Sequence, residues 1–156
     1  MSKRSCGSCT ACCEGWLSSD VIDMEPYKPC QHCTASGCAI YESRPRDPCA
    51  EFVCAWLSDD SPMPEDMRPD QAGVIVVRDR KWKHWEVITA IATGAAIPEP
   101  ALEWLKDYAV QTRTPLILYE YEGEPGKLSV RSRGFGPPAF AEAVRVSIGP
   151  QDIFRL

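Results

Sequence analysis

Nine cysteines fall between positions 6 and 54, and positions 55 to 156 hold none. Their spacing is Cys6-x2-Cys9-x2-Cys12-Cys13, then Cys30-x2-Cys33-x4-Cys38, then Cys49-x4-Cys54. Exposed thiolates oxidise and exchange, so a chain retains this many only where something holds them. A Cys-x2-Cys unit lets two sulfurs turn toward one ion, at about 2.3 Å for zinc. Disulfides are the rival holder, but an odd count leaves one thiol unpaired. The opening Met1 to Ser5 runs into cysteines with no apolar segment of the kind a secretory signal needs. The expected address is cytoplasmic, where disulfides are disfavoured. Metal is the expected holder.

Neighbouring side chains diverge by about 100° on a helix and point to opposite faces of a strand. Cys12 and Cys13 therefore read as two metal centres sharing one segment, or as one ligand beside one packed thiol. Two tetrahedral sites take eight ligands, which nine cysteines and His32 oversupply. A sulfur-bridged cluster of three ions also satisfies the count, and the sequence leaves both open. His32 is expected at the surface or in a hydrogen bond rather than on a metal. His84, among Arg78, Arg80, Lys81 and Lys83, reads as a solvated hairpin residue.

Zinc is the first choice of metal, and iron or an iron–sulfur cluster the other. Cys6-x2-Cys9-x2-Cys12 reproduces the first three cysteines of a bacterial ferredoxin run. Cys13 breaks the continuation, so a fourth ligand has to come from afar, for example Cys49 or Cys54. Soft thiolates suit both metals.

Two blocks resemble a known group. One is Cys6-Gly7-Ser8-Cys9-Thr10-Ala11-Cys12-Cys13; the other runs from Gly37-Cys38-Ala39-Ile40-Tyr41-Glu42-Ser43-Arg44-Pro45 through Cys49, Phe52, Cys54 and Trp56. The chain is similar to the Cys-x2-Cys-x2-Cys-Cys family of zinc- or iron-chelating proteins, the YkgJ-type cysteine cluster proteins. The resemblance spans residues 6–57. It implies that Cys6, Cys9, Cys12, Cys13, Cys33, Cys38, Cys49 and Cys54 form the metal set and leaves Cys30 as the supernumerary thiol. The family often places Arg where Ala50 stands, so Arg44 or Arg46 must supply any positive charge needed there. A similar cysteine block looks to be present in flagellin lysine methylases, which keeps a catalytic reading open. The chain shows no Gly-x-Gly-x-x-Gly cofactor loop.

The remainder reads as α+β: an irregular, metal-stabilised cysteine-rich N-terminal part packed with a small antiparallel sheet and one or two helices. Residues 1–57 are the cysteine-rich region, 58–71 a polar connector, and 72–156 a small α+β region forming one compact unit with the first. Gly73 to Val77 and Trp85 to Thr89 read as strands, and Pro98 to Thr112 as a helix with Leu102, Leu105 and Ala109 on one face. Leu116 to Glu122 and Leu128 to Arg133 form a hairpin about Gly123 to Gly126. Gly134 to Pro138 reads as a loop, with a short helix or strand after it.

The formal charge of −5 becomes more negative once thiolates bind divalent ions, which disfavours nucleic acid. No run approaches the ~18 apolar residues of a membrane span. Arg78 to Trp85 reads first as a solvated hairpin face and second as a surface for an acidic protein partner. Tyr41, Phe52 and Trp56 are expected to pack the metal core. Asp20, Asp23 and Glu25 have no second feature that marks them as ligands. The expected function is metal binding with a structural or chelating role, more in keeping with a non-enzyme. An iron–sulfur enzyme and metal delivery or storage are the alternatives.

Overall fold

The apolar run Val74 to Val77 is buried throughout and anchors the architecture. The computed structural model describes residues 3–17, 19, 21–148 and 153–155. The cysteine-rich region contains a two-stranded ladder, β1 (Cys33–Thr34) and β2 (Gly37–Cys38). β3 (Val74–Trp82) turns at Lys83-His84 and pairs antiparallel with β4 (Trp85–Ala92), with the register shifting between Val77 and Arg80.

The long helix forms where its apolar spacing requires. Ala101, Leu102, Leu105 and Ala109 are buried on one face of Glu99–Thr112, and Pro100 sits in the first turn, where it costs no hydrogen bond. This helix carries the chain back across the sheet. β5 (Leu116–Glu124) therefore joins β4 in parallel, with Ile88 opposite Leu116 and Ile91 opposite Tyr119. β6 (Lys127–Gly136) returns antiparallel to β5, and β7 (Ile153–Arg155) lies parallel to β6. The class is α+β, and the large sheet, in order β3-β4-β5-β6-β7, is mixed rather than wholly antiparallel.

Gly134 to Gly136, read from sequence as loop, belongs to β6. A Cβ on Gly134 would lie 3.1 Å from Val144, and one on Gly136 2.7 Å from Phe140. These glycines let the helix Pro138–Ile148 approach the strand closely. Phe140 and Val144 of that helix cover Val87 and Ile117, with Trp82, Trp85 and Tyr119 at the margin. The one buried carboxylate among the described residues, Glu120, meets Arg133 at 2.7 Å.

The principal core joins the two halves. Ala11, Trp16, Cys54, Ala55 and Trp56 pack with Val74, Val76, Ala90, Leu105, Leu116 and Leu118. The stretch 58–71 is also more than a polar connector. It holds the short helix α1 (Pro69–Ala72), and Met63 and Met67 are buried in the same core. Arg4 fastens it, donating to Trp56 O at 2.9 Å and Met63 O at 2.6 Å, with its guanidinium 4.7 Å from the centre of the Trp56 ring. Isolated methionines among prolines and acids carry no period, which is why the pattern reads as loop. The helix Glu99–Thr112 is hereafter α2 and Pro138–Ile148 α3.

Candidate metal centre

Short turns bring the thiols together. Cys9 N donates to Cys6 O at 2.9 Å, closing the first Cys-x2-Cys turn. A 3-10 turn over Ala11–Glu14 carries Cys12 and Cys13 and ends at Gly15, whose φ is +96°. A Cβ at Gly15 would stand 1.9 Å from Glu25 O, so only glycine lets the two segments meet there. Cys30 N then donates to Cys13 O at 2.8 Å and Cys33 N to Cys30 O at 3.0 Å. Cys33 lies directly opposite Cys38 in the β1–β2 ladder. Cys49 sits in an irregular wide turn over Arg46–Ala50, and Cys54 in the turn that leads to Leu57.

Eight of the cysteines line one cavity of about 210 Å³: Cys6, Cys9, Cys12, Cys13, Cys30, Cys38, Cys49 and Cys54. Cys33, which the family resemblance places in the metal set, does not line it, whereas Cys30 does. Ile22, Met24, Phe52 and Trp56 supply apolar wall, and His32 reaches the rim. All nine cysteines are free thiols. Among the described residues, no three His, Cys, Asp or Glu side chains converge tightly enough to hold an ion as they stand.

Burial, with like charge nearby, raises the pKa of six of the thiols in the metal-free chain. Burial pushes Cys12 far up, helped by charge on Cys54, Cys9, Cys13 and Cys6. Burial likewise pushes Cys13 up to about 12, with Cys33, Cys38, Cys30 and Cys49 as its charged neighbours. Cys6, Cys33, Cys49 and Cys54 are raised, each chiefly by burial. One cation offsets two of them: Arg44 lowers both Cys6 and Cys49, though less than burial raises them.

No family model, curated protein or solved structure matches this chain. The site is therefore read from its own residues. Of the two arginines expected to supply positive charge near Ala50, Arg44 is the one beside thiols. Arg46 is largely exposed and pairs with Glu51. Trp56 is buried and Phe52 half-buried on the cavity wall. Tyr41 also lines the cavity, but it is 47% exposed, its ring 3.8 Å from the Arg44 guanidinium carbon. A cation over its face makes the ring a platform for Arg44 rather than a plug for the core. His84 is exposed at the hairpin turn, against the Trp85 ring. Asp23 pairs with Lys28, Glu25 accepts from Gly126 N, and Asp20 lies outside the described residues.

Sequence reading missed the polar groups around the thiols. Asp70 is held below the usual carboxylate range by two hydrogen bonds from Arg68, at 2.6 and 2.7 Å, and the Cys9 thiol is a further partner. The Thr10 hydroxyl hydrogen-bonds Cys33 and partly offsets its rise. The only local signal was Arg68-Pro69-Asp70, an ordinary turn sequence.

Proposed function

We propose that this is a metal-binding protein whose thiolates hold soft ions, zinc first, with Cys6, Cys9, Cys12, Cys13, Cys30, Cys33, Cys38, Cys49 and Cys54 as the donor pool. The observation that carries the reading is the arrival of thiols from five separate turns at a common cavity, with an apolar wall behind them. Apolar burial alone gives no reason to gather so many sulfurs. Their charges repel, so drawing them close in the ionised form requires a cation. Thiolate donors fit zinc and iron and do not fit magnesium or calcium. Bound metal would fix turns that contain little regular structure, a structural or chelating role in the cytoplasm. The exposed Arg80, Lys81, Lys83 and His84 at the β3–β4 turn are the surface we assign to an acidic protein partner, and the acidic charge balance argues against nucleic acid. No described helix is long and apolar enough to cross a membrane.

One observation favours iron as a second reading. Cys54 is the largest charged neighbour of Cys12, so a distant cysteine does stand beside the ferredoxin-like Cys6, Cys9 and Cys12. That set is suited to an iron–sulfur cluster, which would supply electron transfer or a redox step in catalysis. Metal and acid-labile sulfide analysis of anaerobically isolated protein tests both readings. Zinc without sulfide supports the first reading, and iron with equimolar sulfide the second. A fully reduced native protein that binds neither metal overturns both.

A further inference from the structure

The thiols that share the cavity, with Cys33 beside them, fall into two packing groups. Apolar packing separates them first. Cys9, Cys12 and Cys54 pack with the principal core, beside Ala11, Trp16 and Trp56. Cys30, Cys33 and Cys49 pack instead with Ile22 and Met24, a small cluster of its own. The remaining three follow their backbone ties. Cys6 is joined to Cys9 by the hydrogen bond from Cys9 N to Cys6 O, Cys13 to Cys30 by that from Cys30 N to Cys13 O, and Cys38 stands opposite Cys33. The adjacent pair Cys12-Cys13 lies on a 3-10 turn, where successive side chains diverge by about 120°. Each member thus turns toward a different group.

From this we infer that the protein holds two separate metal centres, one built by Cys6, Cys9, Cys12 and Cys54, the other drawn from Cys13, Cys30, Cys33, Cys38 and Cys49. The inference rests on the metal-binding reading above and assigns its membership. The first centre has the four thiolates of a closed tetrahedral site, and the second has one more than such an ion takes. Cys30 therefore belongs to the donor pool of the second centre. The charged neighbours follow the same division apart from the adjacent pair itself: Cys12 feels Cys54, Cys9 and Cys6 as well as Cys13 next to it, while Cys13 feels Cys33, Cys38, Cys30 and Cys49. Arg44 stands at the boundary, acting on Cys6 of one group and Cys49 of the other. Its fixed charge is suited to offsetting the repulsion between two anionic centres without joining either.

The test is cadmium-113 NMR of the full chain, reduced and reconstituted with isotopically enriched cadmium alone. Two resonances are expected in the all-thiolate region, with no cadmium–cadmium splitting. Proton–cadmium correlation should link one resonance to the β-protons of Cys6, Cys9, Cys12 and Cys54. It should link the other only to cysteines of the second group. A resonance correlated with cysteines of both groups, or splitting from a shared sulfur, overturns the division while leaving metal binding standing. A reduced chain that takes up no cadmium overturns the metal reading itself, and the division with it.

Discussion

Arg44 reaches two thiols at once because its guanidinium is held in place: Nη1 donates to Tyr41 O at 2.6 Å, and the Tyr41 ring lies beneath it. Removing that charge leaves burial less opposed at Cys6 and Cys49. Arg44→Ala is expected to slow alkylation of these two thiols a few-fold in the reduced, metal-free protein, as read by mass spectrometry of their peptides, while Cys12 is little changed. Gly15 is constrained by space and by its positive φ. Gly15→Ala should cost at least about 1–3 kcal/mol from the backbone alone, with the clash at Glu25 O added, measured by urea unfolding. At this scale the cysteines were legible because their side chains are chemically rare and closely spaced. Asp70 and Thr10 were not, since a carboxylate or hydroxyl acquires meaning only when another turn delivers a thiol to it.

α2 owes its legibility to a different property. Its buried residues repeat at helical spacing within one continuous segment, so no distant partner is needed to see them. Leu105, fully buried against the sheet, should cost about 2–5 kcal/mol when changed to Ala, as a lower urea midpoint with unchanged slope. Strand pairing was harder to read. The β3–β4 and β5–β6 hairpins declare themselves by short turns, but the parallel seam between β4 and β5 depends on where α2 deposits the chain. Residues 63–67 were illegible for the converse reason: Met63 and Met67 are buried by contacts that Arg4, far off in sequence, helps to fix.

For the whole molecule, the thiols make stability depend on pH in a definite direction. In the reduced, metal-free chain Cys13 keeps its proton up to about 12, against an ordinary value of about 9. The unfolded chain releases that proton first. Stability is therefore full below about 9 and falls as the pH climbs toward about 12. Urea midpoints across that window should decline, and an increase would contradict the burial of Cys13. On the proposed metal-binding reading, chelation at neutral pH should act regionally. Amides of residues 6–57 are expected to lose protection from hydrogen exchange, while those of β4 and β5, enclosed by α2 and α3, keep theirs. The outermost strand adds a consequence. Ala55 N donates to Val76 O at 2.7 Å, so the turn after Cys54 occupies part of the open side of β3, and Arg80 and Lys81 charge the stretch beyond it. A strand edge left uncovered is a template on which a second chain can add its own. The turn after Cys54 thus shields part of that edge. If bound ions hold that turn as proposed, sedimentation of the chelated protein should show concentration-dependent growth that the metal-loaded form lacks, and self-association would follow from losing them.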